Sequence, residues 1–133
     1  MKVAVTTSGE DLSGPVEPHF GRCPRFIVVD TETMEFEIIQ NTAVSSAHGA
    51  GIAAAQLVAS RGVKAVLTGN VGPNAYSALS SSGIKILTGV SGIVEDAVRR
   101  FSSGELEPIS GPTVGGHFGT GRRGRGGGRR QGF

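Results

Sequence analysis

A chain of 133 residues with 38% hydrophobic residues, no tryptophan and a single cysteine has apolar content for one compact domain with a modest core. One cysteine excludes an internal disulfide and any self-contained four-cysteine cluster site, and no apolar run approaches the ~20 residues of a membrane span. The formal charge of +2 is unevenly divided: beyond Thr113 stand five arginines and no acid, whereas the rest carries eight basic against eleven acidic residues, a net of −3.

Lys2 to Thr7 (KVAVTT) is a β-branched run that predicts a first strand. It lacks the ~7–15-residue apolar stretch of a signal peptide, which predicts a cytoplasmic protein. Ser8 to Pro24 reads as a long loop, punctuated by Gly9, Gly14, Pro15, Pro18, Gly21 and Pro24. So long a connection in a small domain is usually functional. Arg25 to Asp30 predicts a second strand. After the turn Thr31 to Met34, Glu35 to Gln40 predicts a third, whose alternation of Glu35 and Glu37 with Phe36 and Ile38 puts one face in water.

A polar loop, Asn41 to Gly49, leads into a helix over Ala50 to Arg61, with Ile52, Ala55, Gln56 and Ala59 on the expected inner face and Gly62 as the stop. Val63 to Thr68 is a nearly continuous apolar run of buried-strand type. Pro73 is placed to open a second helix reaching about Ser82, and Ile84 to Thr88 predicts the fifth strand. A third helix spans Ile93 to Ser102, with Val94, Ala97, Val98 and Phe101 as its apolar stripe.

The order β-β-β-α-β-α-β-α predicts an α/β domain: an antiparallel meander followed by parallel βα units, giving a mixed five-stranded sheet with helices on both faces. It is the order of the ribonuclease H-like fold. Residues 1–105 form this domain, and 106–133 read as a Gly/Arg-rich disordered tail, since ten of the 22 glycines fall between Gly111 and Gly132. Ligands of open α/β sheets sit off the strands' carboxyl ends. The loop after strand one, the turn TGNVGPNA and the turn TGVSG should therefore share one rim.

That first loop carries Pro18-His19-Phe20-Gly21-Arg22-Cys23-Pro24-Arg25-Phe26. His19 and Cys23 are metal-ligand types, and Arg22 and Arg25 add positive charge, a make-up suited to an anion that contains a metal. Each residue also has a plainer reading. His19 is either a ligand or a loop histidine bonded to backbone. Cys23 is either a thiolate, its pKa lowered by Arg22 and Arg25, or a small hydrophobe opening strand two. Arg22 either grips an anion or pairs with Asp11, Glu17 or Asp30. His48 precedes the glycines that open the first helix, where a helix N-terminus favours anions. Asn70, between Gly69 and Gly72, offers amide donors at the same rim. His117 stands in the tail, either as spacer or as part of an arm folding over a bound cluster.

PHFGRCPRF, HGAGIAAAQ, TGNVGPNA and GIKILTGVSG, in that order, resemble the dinitrogenase iron–molybdenum cofactor biosynthesis proteins over about residues 1–105. The resemblance implies a ribonuclease H-like fold and a binding protein rather than an enzyme. It would carry an iron–sulfur or iron–molybdenum–sulfur cluster transiently between donor and acceptor proteins. It makes His19 the histidine that opens the family's H-F-G-R motif and Arg22 its arginine. Cys23 falls where the family commonly has alanine or cysteine, and Arg25 departs from the aromatic often found there. His19, Arg22 and Cys23, with His48 and Asn70, make the expected cofactor-binding set, His19 and Cys23 being the metal ligands, while the role of Arg25 is open.

Other chemistries fit poorly. Gly49-Ala50-Gly51-Ile52-Ala53-Ala54 matches G-x-G-x-x-A, but it does not follow its strand directly and no acid stands ~20 positions on. There is no G-x-x-x-x-G-K-[ST] loop. A nuclease would need converging carboxylates that strands one, four and five lack, and no serine has an evident histidine and acid partner. Two binding alternatives stand beside the carrier. The segment Gly119 to Arg130 resembles arginine–glycine-rich stretches that bind RNA or DNA, although only Phe118 and Phe133 could stack on bases. The second is a domain for a small anion without metal.

Overall fold

The computed structural model describes residues 1–42 and 49–113. The elements run β1 (Lys2–Thr7), a 3₁₀ turn (Phe20–Arg22), β2 (Arg25–Asp30), β3 (Phe36–Gln40), α1 (Ala50–Ala59), β4 (Ala65–Leu67), α2 (Pro73–Ser81), β5 (Lys85–Leu87) and α3 (Val94–Ser102). The strands form one mixed sheet in the order β3-β2-β1-β4-β5. Central β1 pairs antiparallel with β2 (Val3 opposite Val29) and parallel with β4 (Val3 opposite Ala65), so the meander half and the βα half share it.

Alternation along the strands divides the core in two. Val3, Val5, Ile27, Val29, Leu67 and Leu87 face α3, which covers them with Val94, Ala97 and Val98. Ala4, Phe26, Val28, Val66 and Ile86 face the other way, under Ala54, Ala55 and Val58 of α1 and Ala75 and Leu79 of α2. Both faces are thus covered, which is why Val3 to Val5 of β1 and all of β4 are apolar. Among the described residues no helix is long and apolar enough to cross a membrane.

Three expectations are corrected. The inner stripe of α1 is Ala50, Ala54, Ala55 and Val58, whereas Ile52 is 40% exposed and Gln56 faces water. In a helix this rich in alanine, close approach to α2 at Gly51, not hydrophobicity, sets the rotation. β4 and β5 are three residues each, shorter than the apolar runs around them, because only Val3 to Val5 of β1 continue the parallel ladder. The fold also does not stop at residue 105. The Ile109 N–H donates to the Ile86 carbonyl (2.8 Å) on the outer edge of β5, and the Thr113 N–H donates to the Val71 carbonyl (2.9 Å). Residues 114–133 of the expected tail lie outside the described residues.

The long loop after β1 is pinned, not free. Thr7 Oγ1 donates to the Pro15 carbonyl (2.7 Å). The Val16 N–H donates to Gly92 (2.8 Å), and the Val94 and Glu95 N–H groups of α3 donate to Gly14 and Leu12 (2.9 Å each). The loop's carbonyls therefore satisfy the exposed donors at the start of α3. Among the described residues neither α1, preceded by Gly49, nor α2, preceded by Gly72, has a side-chain cap.

Candidate functional site

A cleft of about 290 Å³ opens where the β1–β2 loop, the start of α1 and the β4–α2 turn converge, lined by residues 19–22, 49–51, 70 and 72–75. Its walls are positioned by backbone. The Asn70 N–H donates to the Pro18 carbonyl (2.7 Å) and the Phe20 N–H to the Asn70 carbonyl (3.3 Å), a short parallel bridge centred on His19 and Asn70. That approach requires Gly69: a Cβ there would stand 2.6 Å from both Cα and O of Pro18. Behind the loop, Phe20 is 2% exposed and its ring lies 5.3 Å from that of Phe26. With Phe20 turned inward, His19 and Arg22 are exposed on the cleft side. Buried Asn41, just past β3, holds the turn from below, its Nδ2 donating to the carbonyls of Cys23 (2.8 Å) and Gly21 (3.4 Å). A Cβ on Gly51 would meet the Ala75 Cβ at 3.1 Å, so the starts of α1 and α2 are brought close at the cleft floor.

This placement sets the electrostatics. Two helix N-termini, without side-chain caps among the described residues and each the positive end of its dipole with first-turn N–H groups, form two walls of one cleft. Exposed Arg22 forms no ion pair among the described residues, so the expected alternatives of Asp11, Glu17 and Asp30 do not engage it. Asp11 bonds Ser13 instead (2.6 Å to its hydroxyl), and Asp30 faces the N-terminal ammonium. Among the described residues no acidic side chain lines the cleft. The site favours an anion. Among the described residues no group of three or more His, Cys, Asp or Glu is placed to hold a metal ion.

His19, Arg22 and Asn70 thus meet at one cleft. Cys23 does not join them. It is 0% exposed within the core, its thiol donating to the Phe20 carbonyl (3.4 Å). The lowered pKa expected of it is reversed: burial pushes the thiol from its ordinary 9.0 up to about 12. The arginines do not act on it, because Arg25 is spent on the Ser8 carbonyl (2.6 Å) and lies 3.9 Å from Glu10, while Arg22 points to solvent. In this position Cys23 packs as the small hydrophobe of the plainer reading. His48 lies outside the described residues, although its neighbour Gly49 lines the cleft. Reading from sequence missed the supporting roles of Gly51 and Asn41 and the place of Asn74 in the cleft lining. Gly51 and Asn74 fall inside HGAGIAAAQ and TGNVGPNA, but nothing near Asn41 announces its role.

The buried thiol gives a direct expectation. A chromogenic disulfide reagent at neutral pH should leave Cys23 unmodified in the folded protein and react with one thiol per chain in urea. Because the folded pKa is raised, the stability contributed by the protonated thiol is complete below pH 9.0 and is lost as pH rises through about 12. Rapid labelling of the native protein at pH 7 would contradict this burial.

Relatives of the chain span the same elements. The family described as dinitrogenase iron-molybdenum cofactor matches residues 1–104. An uncharacterized protein of Methanocaldococcus jannaschii is 38% identical over 110 residues, 80% of this chain and 90% of its own. Among solved structures, the apo form of the orange protein from Desulfovibrio gigas superposes with a TM-score of 0.83 at 43% identity, covering 85% of this chain and 96% of that one. A candidate NifB protein from Thermotoga gives 0.70 at 38% identity, covering 80% and 91%. The matched span contains every cleft residue, from His19 to Ala75. The chain belongs to the dinitrogenase iron-molybdenum cofactor family.

Proposed function

We propose that this protein is a carrier, without turnover of its own, that binds a preformed metal–sulfur cluster in the cleft and passes it from a donor to an acceptor protein in the cytoplasm. The cargo would be an iron–sulfur or iron–molybdenum–sulfur cluster. The observation that carries the reading is the cleft itself: two uncapped helix starts and Arg22 supply positive potential, yet no ligand set for a bare ion is present among the described residues. A sulfide-rich cluster meets both conditions, being anionic and already ligated. The family's association with an iron–molybdenum cofactor supports the same class of cargo. In this role His19 contributes one exchangeable ligand through its imidazole. Arg22 and the Asn70 amide donate to sulfides, and the helix starts balance charge. Holding by few protein ligands suits a cargo that must leave again. The strand order with its single antiparallel neighbour to β1 also supports the ribonuclease H-like assignment.

The test is iron, molybdenum and sulfide analysis, with visible absorbance, on anaerobically purified and reconstituted protein. Wild type should hold a near-stoichiometric cluster. His19→Ala should bind at least about tenfold more weakly, since losing even a group behind a ligand costs about 10–100-fold. Metal-free wild-type protein that refuses reconstitution would sink the carrier reading. Retention of a simple anion by such protein would leave an anion-binding domain without metal in its place.

A further inference from the structure

Resting on the carrier reading, we infer that Thr113 is a positioning residue for the cleft: the strap over residues 105–113 reaches the β4–α2 turn and, through Thr113, orients the turn's Asn70 and Gly72 toward the cargo. The strap passes from one face of the sheet to the other. Leu106 packs against the core beneath α3, whereas Ile109, three residues on, packs on the α1–α2 side and donates its N–H to the Ile86 carbonyl (2.8 Å). Thr113 then meets Val71 through three hydrogen bonds. Its N–H donates to the Val71 carbonyl (2.9 Å), the Val71 N–H donates to its Oγ1 (2.7 Å), and its Oγ1 donates to the same carbonyl (3.2 Å). Val71 is buried and stands between Asn70 and Gly72, both of which line the cleft.

Two planar peptide groups are fixed by this contact. In the one joining Asn70 to Val71, the carbonyl accepts from the Phe20 N–H (3.3 Å) and the N–H donates to Thr113. The β1–β2 loop and the strap thus hold opposite edges of one plane, and with it the backbone that carries the Asn70 side chain. In the one joining Val71 to Gly72, Thr113 holds the carbonyl. The peptide is trans, so its N–H lies opposite its C=O and the Gly72 N–H is turned away from the strap. That N–H has no partner among the described residues. Pro73, at the start of α2, has no N–H, so Gly72 offers the donor that this position lacks. A donor set before the cargo arrives need not be ordered on binding. Among the described residues Thr113 alone bonds the N–H and carbonyl of Val71. Loss of its hydroxyl would leave a partly buried N–H unmatched and free the turn to rock.

The experiment uses full-length protein and an iron–sulfur cluster reconstituted anaerobically from iron and sulfide. Thr113→Val removes the hydroxyl but keeps the branched shape and the main-chain bond; Thr113→Ser keeps the hydroxyl. Amide exchange at Val71 is followed by NMR without cargo, cluster loss to excess chelator by visible absorbance, and global stability by urea midpoint. Thr113→Val should speed both Val71 exchange and cluster loss roughly tenfold, and Thr113→Ser should return both to within about twofold of wild type. Cluster loss that follows the urea midpoint alike in both variants would make Thr113 a structural residue only and overturn the positioning role. Faster Val71 exchange with wild-type cluster loss, or unchanged exchange in Thr113→Val, would overturn it too and leave the carrier reading intact. Wild-type protein that takes up no cluster would remove the carrier reading, and positioning for that cargo with it.

Discussion

Phe20→Ala is expected to lower the unfolding free energy by about 3–5 kcal/mol, the cost of deleting a buried phenylalanine side chain. The residue belongs to no long element, only to a one-turn 3₁₀ segment, yet it is 2% exposed and its ring meets Phe26 at 5.3 Å with a tilt of 48°. Truncation would open a cavity beneath the cleft, and a domain with only about 5–15 kcal/mol in hand would lose a large fraction of its stability. The flanking groups would go with it, because inward Phe20 is what leaves His19 and Arg22 facing out. Urea unfolding monitored by circular dichroism would read the loss as a fall in midpoint. Phe20→Leu, which keeps most of the volume, should retain most of the stability and the cleft. A wild-type midpoint in Phe20→Ala would show that the loop is not anchored through this ring.

Gly69→Ala should be nearly as damaging, for a different reason. Its backbone is not in the left-handed region, so no conformational penalty arises; the obstacle is contact. The added Cβ would sit 2.6 Å from Pro18 Cα and O, both backbone atoms that cannot swing aside. The bridge that holds His19 beside Asn70 must part, at a cost toward the upper end of the roughly 1–3 kcal/mol typical of overpacking. Uptake of the proposed cluster should fall with it, since two of the cleft's walls would separate. Gly111→Ala is the matched control: nothing lies within 4 Å of its added Cβ, and stability should stay within about 0.5 kcal/mol. Equal urea midpoints for the two variants would show that the loop can shift freely past the β4–α2 turn.

The sheet was legible because its strands repeat a clear period and its third helix carries bulky apolar groups at helical spacing; Val94, Ala97 and Val98 are buried where the pattern puts them. α1 was misread in rotation because its five alanines carry little contrast along the helix, while bulky Ile52, which looked like a core residue, falls on the exposed side. His19, Arg22 and Asn70 could be placed together from topology alone, since loops leaving β1 and β4 emerge at one rim. Cys23 could not be settled that way. Its burial depends on Asn41, eighteen residues away, and on the inward turn of Phe20. Thr113 left no trace in sequence either: a threonine in a Gly- and Pro-rich stretch has no period, and its partner Val71 lies 42 residues back.

The central position of β1 has a consequence for how the protein comes into being. Its antiparallel partner lies within the same meander, but its parallel partner is paired across Val3 and Ala65. The meander can therefore assemble while synthesis continues, carrying His19 and Arg22 on an unfinished sheet. Contacts that span so much sequence form late. At roughly 5–20 residues per second, several seconds separate the first wall from the helix starts that complete the cleft. A nascent chain in that interval presents a histidine and an arginine but no enclosure, so the proposed cargo would find its cleft only after the C-terminal half has been made.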